Sequence, residues 1–394
     1  MIFRLTLVFA LLAAAVSAHP STAARGALSV VEGQTPAADL KTNIDRLAAF
    51  DYPVRMNAAR VLRRAAPAEA VAALTQAVRS HKDAFVRYRA LILLTSFNDA
   101  GTPELMRGLL TDSNDRLREV AYRWFELRPD PRLTPSLLAA LNTEQAEFVR
   151  PALIRAVAAS AADVQVQRAL VAEVGRGLDF FRSAVIEALG DYRAAFAADA
   201  LATIARNDGP LQDDAVLALG RIGGPQAAAT FKALTNPALD VIPTLHAAQC
   251  LFEDACAMHL QILTDTARSI VAKPDVVRAA VSAIGAVAAR GDAAAATTLV
   301  TLATTGSPAV RRDATLAFAG LALRRAPFMI DWLARAPGDV QGRAIDVLHE
   351  GFDSLEEDFA EEQFFATARA AYWKAVDGSP DRTLTATLID KLEF

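Results

Sequence analysis

An arginine preceded by an apolar residue recurs every 31 or 32 residues in this chain, at Arg55, Arg87, Arg118, Arg150 and Arg182. The mark lapses for two units, where Gln212 and Pro243 hold the equivalent places. It returns in phase at Arg278, 96 residues after Arg182, and again at Arg311, with a weaker echo at Arg343. Self-similarity at a fixed period of this size belongs to stacked supersecondary repeats, not to a domain with one central core. No other feature of the chain restricts its fold as strongly.

Each unit has a consistent physical logic. Asp51, Asp83, Asn114 and Ser307 stand four residues before the arginine, where a side-chain oxygen can cap a helix. Val54, Val86, Leu117, Val149, Val277 and Val310 immediately precede the arginine and are expected to point into the stack. Apolar residues then follow at spacings of three and four, as in Phe181, Val185, Ile186 and Leu189. Gly190, Gly220 and Gly285 are expected to end their helices in the left-handed conformation. A second, shorter apolar helix follows, for example over residues 198–204 or 227–234. Such a hairpin cannot bury its apolar face alone and must stack on its neighbours. The expected fold is all-α, a right-handed α-α superhelix, a solenoid of about ten helical hairpins. Residues 37–350 would form the solenoid and residues 351–394 an acidic helical C-terminal cap.

The two ends differ from the array. Residues 1–18 read as a secretory signal, with Arg4 ahead of an apolar run over 5–16 and small residues at Val16-Ser17-Ala18. That run is short of the roughly 20 residues a membrane span needs. A mature chain that is periplasmic or secreted, with no membrane span, is therefore expected. Residues 19–36 read as a flexible lead-in. The net charge of −4 argues against a nucleic-acid partner, since dedicated nucleic-acid binders carry a basic excess. Residues 337–394 hold 13 acidic and five basic side chains, so the rest of the chain is basic by about four charges. The acidic run 356–362 opens a predicted helix, where negative charge suits the dipole. It reads as a solvated cap or as a docking surface for a basic partner.

The pattern Asp-x-x-Val-Arg-x-x-Ala-x-x-Ala-Leu-Gly resembles HEAT repeats, particularly the short bacterial type also found in phycobilin-lyase-like proteins. The resemblance covers roughly residues 40–350. It implies that the arginine-bearing helix lines the concave side. It also implies that Asp and Arg pair within or between units, as Asp51 with Arg55 and Asp83 with Arg87, and it leaves Gln212 and Pro243 outside the pattern. The ladder of Arg55, Arg87, Arg118, Arg150, Arg182, Arg278 and Arg311 then reads mainly as structural, with a row of ligand-binding guanidiniums as the second reading. Ten hairpins at ordinary helix spacing would make a curved rod roughly 100 Å long, offering a groove that suits protein segments.

Three local features could carry more than packing. Cys250 and Cys256, flanked by His246 and His259, could form a disulfide, remain as buried thiols, or supply a tetrahedral metal site. Tyr122, Trp124 and Phe125, with Arg116, Arg118 and Arg123, could be a binding hot spot or ordinary core. For catalysis, His81 and His349 stand isolated, and the chain has no phosphate-binding Gly-rich loop or His-Glu-x-x-His helix. The sequence thus points to a non-catalytic extracytoplasmic scaffold that binds a protein partner along its concave groove and needs no cofactor. The alternatives are a structural subunit of a cell-envelope assembly, or a chromophore lyase or DNA glycosylase on the same fold.

Overall fold

The computed structural model describes residues 37–392, except 235–237, 254–255 and 356–357. Residues 1–36, read above as a secretory signal and lead-in, lie outside the described residues. Twenty-two α-helices and two short 3-10 turns, with no strand among the described residues, make up the chain. After α1 (Ala37–Arg46) the helices alternate between two rows. One row carries the arginine ladder: α2 (Tyr52–Arg64), α4 (Ala84–Thr95), α6 (Asp115–Leu127), α8 (Arg150–Ala158) and α10 (Asp179–Asp191). It continues with α12 (Gln212–Ile222), α14 (Val241–Glu253), α16 (Pro274–Ala289), α18 (Pro308–Arg324) and α20 (Gly338–Leu355). The other row is α3 (Pro67–Ser80), α5 (Thr102–Leu109), α7 (Thr134–Thr143), α9 (Val164–Glu173) and α11 (Ala198–Ala205). It ends with α13 (Gly224–Ala233), α15 (Cys256–Ala267), α17 (Ala293–Thr305) and α19 (Ala326–Arg335). Two further helices, α21 (Asp358–Lys374) and α22 (Pro380–Leu392), close the chain.

The capping residues act as their positions predict. Asp51 accepts from the Val54 N–H at 3.0 Å, Asp83 from Phe85 at 2.8 Å, Asn114 from Arg116 at 3.0 Å and Ser307 from Val310 at 3.4 Å. A cap of this kind stabilises its helix by about 1 kcal/mol. Val86, Leu117, Val149 and Val310 are buried in the stack, and Val277 is half-buried. Val54 is 42 % exposed, because α2 begins its row and no earlier ladder helix covers it.

Gly190, Gly220 and Gly285 do not end their helices; all three lie inside them. A Cβ on Gly190 would stand 2.8 Å from Ala218 Cα, and one on Gly220 only 2.5 Å from Ala248 Cα. Gly285 faces Ala317, and Gly351 of α20 repeats the crossing against Ala319. These glycines let neighbouring backbones approach, a role visible only once the neighbouring helix is known. The left-handed residues stand further on, at Arg193, Gly223 and Gly291. Helix spacing follows the size of the side chains at the crossing. Successive ladder helices pack all along the array, while most successive helices of the other row barely meet. Unequal spacing of two rows bends the array towards the tighter one.

The bend is strong enough to bring the ends together, which replaces the expected open rod. Helix α21 packs its Phe364 and Phe365 edge-on against Phe352 of α20. On its other side Phe359 is buried in the core of the N-terminal units, and Glu362 meets Arg63 of α2 across 299 residues of sequence. Midway round, Arg324 at the end of α18 lies 3.6 Å from Glu187 of α10. Contacts between helices so far apart in one row identify the ladder row as the inner one. Two large apolar cores run through the ring, one over residues 40–248 with Phe359 and one over 247–392, and Ala368, Tyr372 and Ile389 form a small third one.

Candidate functional site

The inner row has two edges with different chemistry. At the edge where its helices begin, the ladder arginines close the carbonyls that the preceding helix or turn leaves open. Arg55 donates to Ala49 O at 3.0 Å, Arg87 to Val78 O at 2.7 Å, Arg118 to Asp112 O at 2.8 Å and Arg182 to Val174 O at 2.9 Å. Arg311 reaches Gly306 O at 3.4 Å. Each such bond satisfies a carbonyl at or just beyond the end of the preceding helix, where the negative end of the dipole also favours a cation. Carboxylates fix the other side of three guanidiniums, in Arg87–Asp112 at 2.6 Å, Arg118–Glu144 at 2.8 Å and Arg150–Glu173 at 3.5 Å. The hydrogen bonds from Arg118 hold Glu144 below the usual carboxylate range. The expected partners, Asp51 for Arg55 and Asp83 for Arg87, serve as helix caps instead.

Gln212 donates to Ala205 O at 3.0 Å and Gln341 to Leu333 O at 2.9 Å, the same bond made by a neutral amide. Gln212 is therefore a full rung, and the tenth rung is Gln341 rather than Arg343. Arg278 and Arg343 reach only Asp275 and Asp339 of their own helices.

Exposed phenyl rings stand beside this ladder. Phe85, Phe148 and Phe180 each lie two residues before a ladder arginine, and are 39 %, 47 % and 66 % exposed. Their shared register was readable in the sequence; their exposure was not, because aromatic residues at helical spacing are usually core. Tyr122 and Trp124 illustrate that rule. Both are 2 % exposed, so of the two readings they take the core one, and Arg123 pairs with Glu119 at 3.0 Å.

At the edge where the inner helices end, Arg193, Arg221, Arg290 and Arg325 line a cavity of about 380 Å³. Asp191 pairs with Arg221 at 3.0 Å and with Arg155 at 3.0 Å, and Arg155 reaches Glu126 at 2.7 Å. Burial works against the charge of Arg155, but Glu126 and Asp191 more than offset it and hold the group protonated. Arg290 donates to Cys250 O at 2.9 Å and Arg325 to Ala289 O at 2.8 Å. Arg193 projects from a left-handed residue with φ of 50° and makes no ion pair among the described residues. Towards α2 the same edge is occupied by the chain itself. Glu362, 1 % exposed, accepts from Arg63 at 2.8 Å and from Arg369 at 3.0 Å. Burial pushes its carboxyl up, but the two guanidiniums and the Ser96 hydroxyl outweigh this and hold it below the usual range.

Cys250 and Cys256 are bridged across the turn from α14 to α15. With both sulfurs in the bridge, the four-ligand metal set with His246 and His259 does not exist. The two imidazoles instead meet each other, Nδ1 to Nδ1, at 3.0 Å. Burial and the neighbouring His259 push His246 below the ordinary imidazole value.

Residues 40–125 match the family model described as HEAT repeats. No curated protein sequence matches the chain. Among solved structures, it is similar to the CpcE–CpcF complex of phycocyanin lyase from Nostoc sp. PCC7120. That likeness has 19 % identity, covers 64 % of this chain and 97 % of the other, and has a TM-score of 0.40. Human deoxyhypusine hydroxylase is 16 % identical over 75 % of this chain and 97 % of its own, with a TM-score of 0.24. Kap121p bound to RanGTP is 13 % identical over 95 % of this chain and 55 % of its own, with a TM-score of 0.33. The stretch that matches the HEAT-repeat model, residues 40–125, holds the first three arginines of the ladder, Arg55, Arg87 and Arg118.

Proposed function

We propose that this chain is an extracytoplasmic scaffold that holds a protein partner along the inner row of its ring, and that it acts by binding rather than catalysis. The observation that carries the reading is the strip of Phe85, Phe148 and Phe180. Solvent-facing phenyl rings at one register of three units, with Arg116 at that place in the unit between Phe85 and Phe148, are the anchors a protein interface uses, and they cost the free protein a water-exposed apolar surface. The arginine edge beside the cavity supplies the charged part of such an interface. The Cys250–Cys256 bridge supports the extracytoplasmic part, since cytosolic thiols are kept reduced.

Affinity capture from an extracytoplasmic extract tests the binding. The wild-type chain should enrich a protein that a Phe148→Ser, Phe180→Ser double variant loses. Equal capture by both, or none by the wild type, refutes the reading. Location is tested separately: a mature N-terminus at His19, with an unreduced mass two hydrogens lower, is expected.

A further inference from the structure

Helix α21 shows what the inner row can bind. Its first turns present an acidic, amphipathic face to α2 and α4. Phe359 is buried among the N-terminal units, Glu362 accepts from Arg63 of α2 and from Arg369 of its own helix, and Gln363 donates to the Thr95 hydroxyl at 2.9 Å. The opposite face, with Phe364 and Phe365, belongs to the C-terminal core. One helix thus joins two bodies through two different faces, and the smaller, polar face is the one that closes the ring. Charge follows the same division, an acidic tail lying on a basic array.

We propose that residues 358–363 are an internal stand-in for a segment of the partner. The surface of α2 and α4 beneath them is a binding site for an acidic amphipathic helix of the pattern Asp-Phe-x-x-Glu-Gln, and the partner enters by displacing α21. This rests on the reading that the inner row binds protein. Exchange is physically favourable where simple opening is not. Pulling Glu362 away leaves Arg63 without its buried carboxylate, whereas an incoming glutamate replaces it, so the pair is never left open. The tether gives α21 an effective concentration of about millimolar or more, so a short acidic segment alone competes poorly. A partner that also engages the exposed phenyl strip and the Arg193–Arg221–Arg290–Arg325 edge has the additional contacts to win.

The probe is a fluorescein-labelled peptide with the sequence of residues 355–366, titrated by anisotropy into the full chain. Wild type should show no binding below about 100 μM, because the tethered helix holds the site. A Glu362→Gln chain should bind at least tenfold more tightly, and adding Arg63→Gln should remove that increase. If the Glu362→Gln chain binds no better than wild type, the proposal fails. Should that variant not fold, hydrogen exchange on the wild type decides. The amides of α21 should then exchange through an opening that leaves α16 and α18 protected; exchange only through global unfolding overturns the proposal. A concentration-dependent dimer with exchanged α21 would make a second copy the occupant and equally overturn it. None of these results touches the Phe148 and Phe180 capture experiment, so the broader reading stands or falls on its own.

Discussion

Replacing Gly220 with alanine tests the close approach that bends the ring. In an isolated helix this change stabilises by about 1 kcal/mol, through lower backbone entropy in the unfolded chain and better helix propensity. Here the new Cβ would lie 2.5 Å from Ala248 Cα and 2.7 Å from its carbonyl oxygen. Carbon atoms rest about 3.5–4.0 Å apart, so α12 and α14 must separate by about 1 Å. Backbone lies on both sides, and no rotamer change can relieve the clash. Overpacking of this kind costs about 1–3 kcal/mol, occasionally more, and outweighs the propensity term.

Two companion substitutions calibrate the effect. At Gly285 the nearest atom is Ala317 Cβ at 3.3 Å, so the two terms nearly cancel. At Gly342 nothing lies within 4 Å, and alanine should stabilise by about 0.5–1 kcal/mol. Urea unfolding followed by helical circular dichroism should rank Gly342→Ala above wild type, Gly285→Ala near it and Gly220→Ala below. Because repeat arrays need not unfold in one step, hydrogen exchange within α14 should report the same loss locally. A Gly220→Ala chain as stable as Gly342→Ala would refute the close-packing account.

Other expectations follow from the ladder and the bridge. Arg118→Gln leaves the buried Glu144 without its guanidinium and should cost about 3 kcal/mol, whereas Arg278→Gln, in an exposed pair, should change stability by less than about 0.5 kcal/mol; unfolding midpoints compare them. Because His246 is held below its ordinary value, the unfolded chain takes up the proton first. Its effect on stability is absent above about pH 7 and grows as pH falls through the unfolded value near 6.5, until the folded imidazole protonates. Melting temperature should therefore fall over that window, and His246→Gln should flatten the decline. The Cys250–Cys256 bridge closes a sequence separation of only six residues, so a double Cys→Ser variant should lose about 2 kcal/mol, read from the same unfolding curves.

What could be read in advance was what repeats locally. The period and the caps at Asp51 and Asp83 depend on residues close together in sequence, whereas the inner placement of the arginine helix came only as what the resemblance implies. Gly220 was misread because its constraint comes from Ala248, one unit away, and a buried glycine looks the same in sequence as a terminal one. Gln212 looked like a gap because only its residue type was visible, not the single donor that the position needs. Trp124 and Tyr122 could be read as hot spot or as core, and only burial decides between the two. The acidic tail could be read as a solvated cap or as a docking surface for something basic. Nothing local could show that the basic surface lies at Arg63, near the other end of the chain.

The contact between Arg63 and Glu362 also sets a clock for biosynthesis. The partners are 299 residues apart, so at about 5–20 residues per second the first units wait about 15–60 s before α21 exists to cover them. Stacked neighbours can form as soon as they are made, but Arg63 and Thr95 stay open to the surroundings throughout that interval. A newly made chain therefore displays the surface beneath α21 before any finished molecule conceals it.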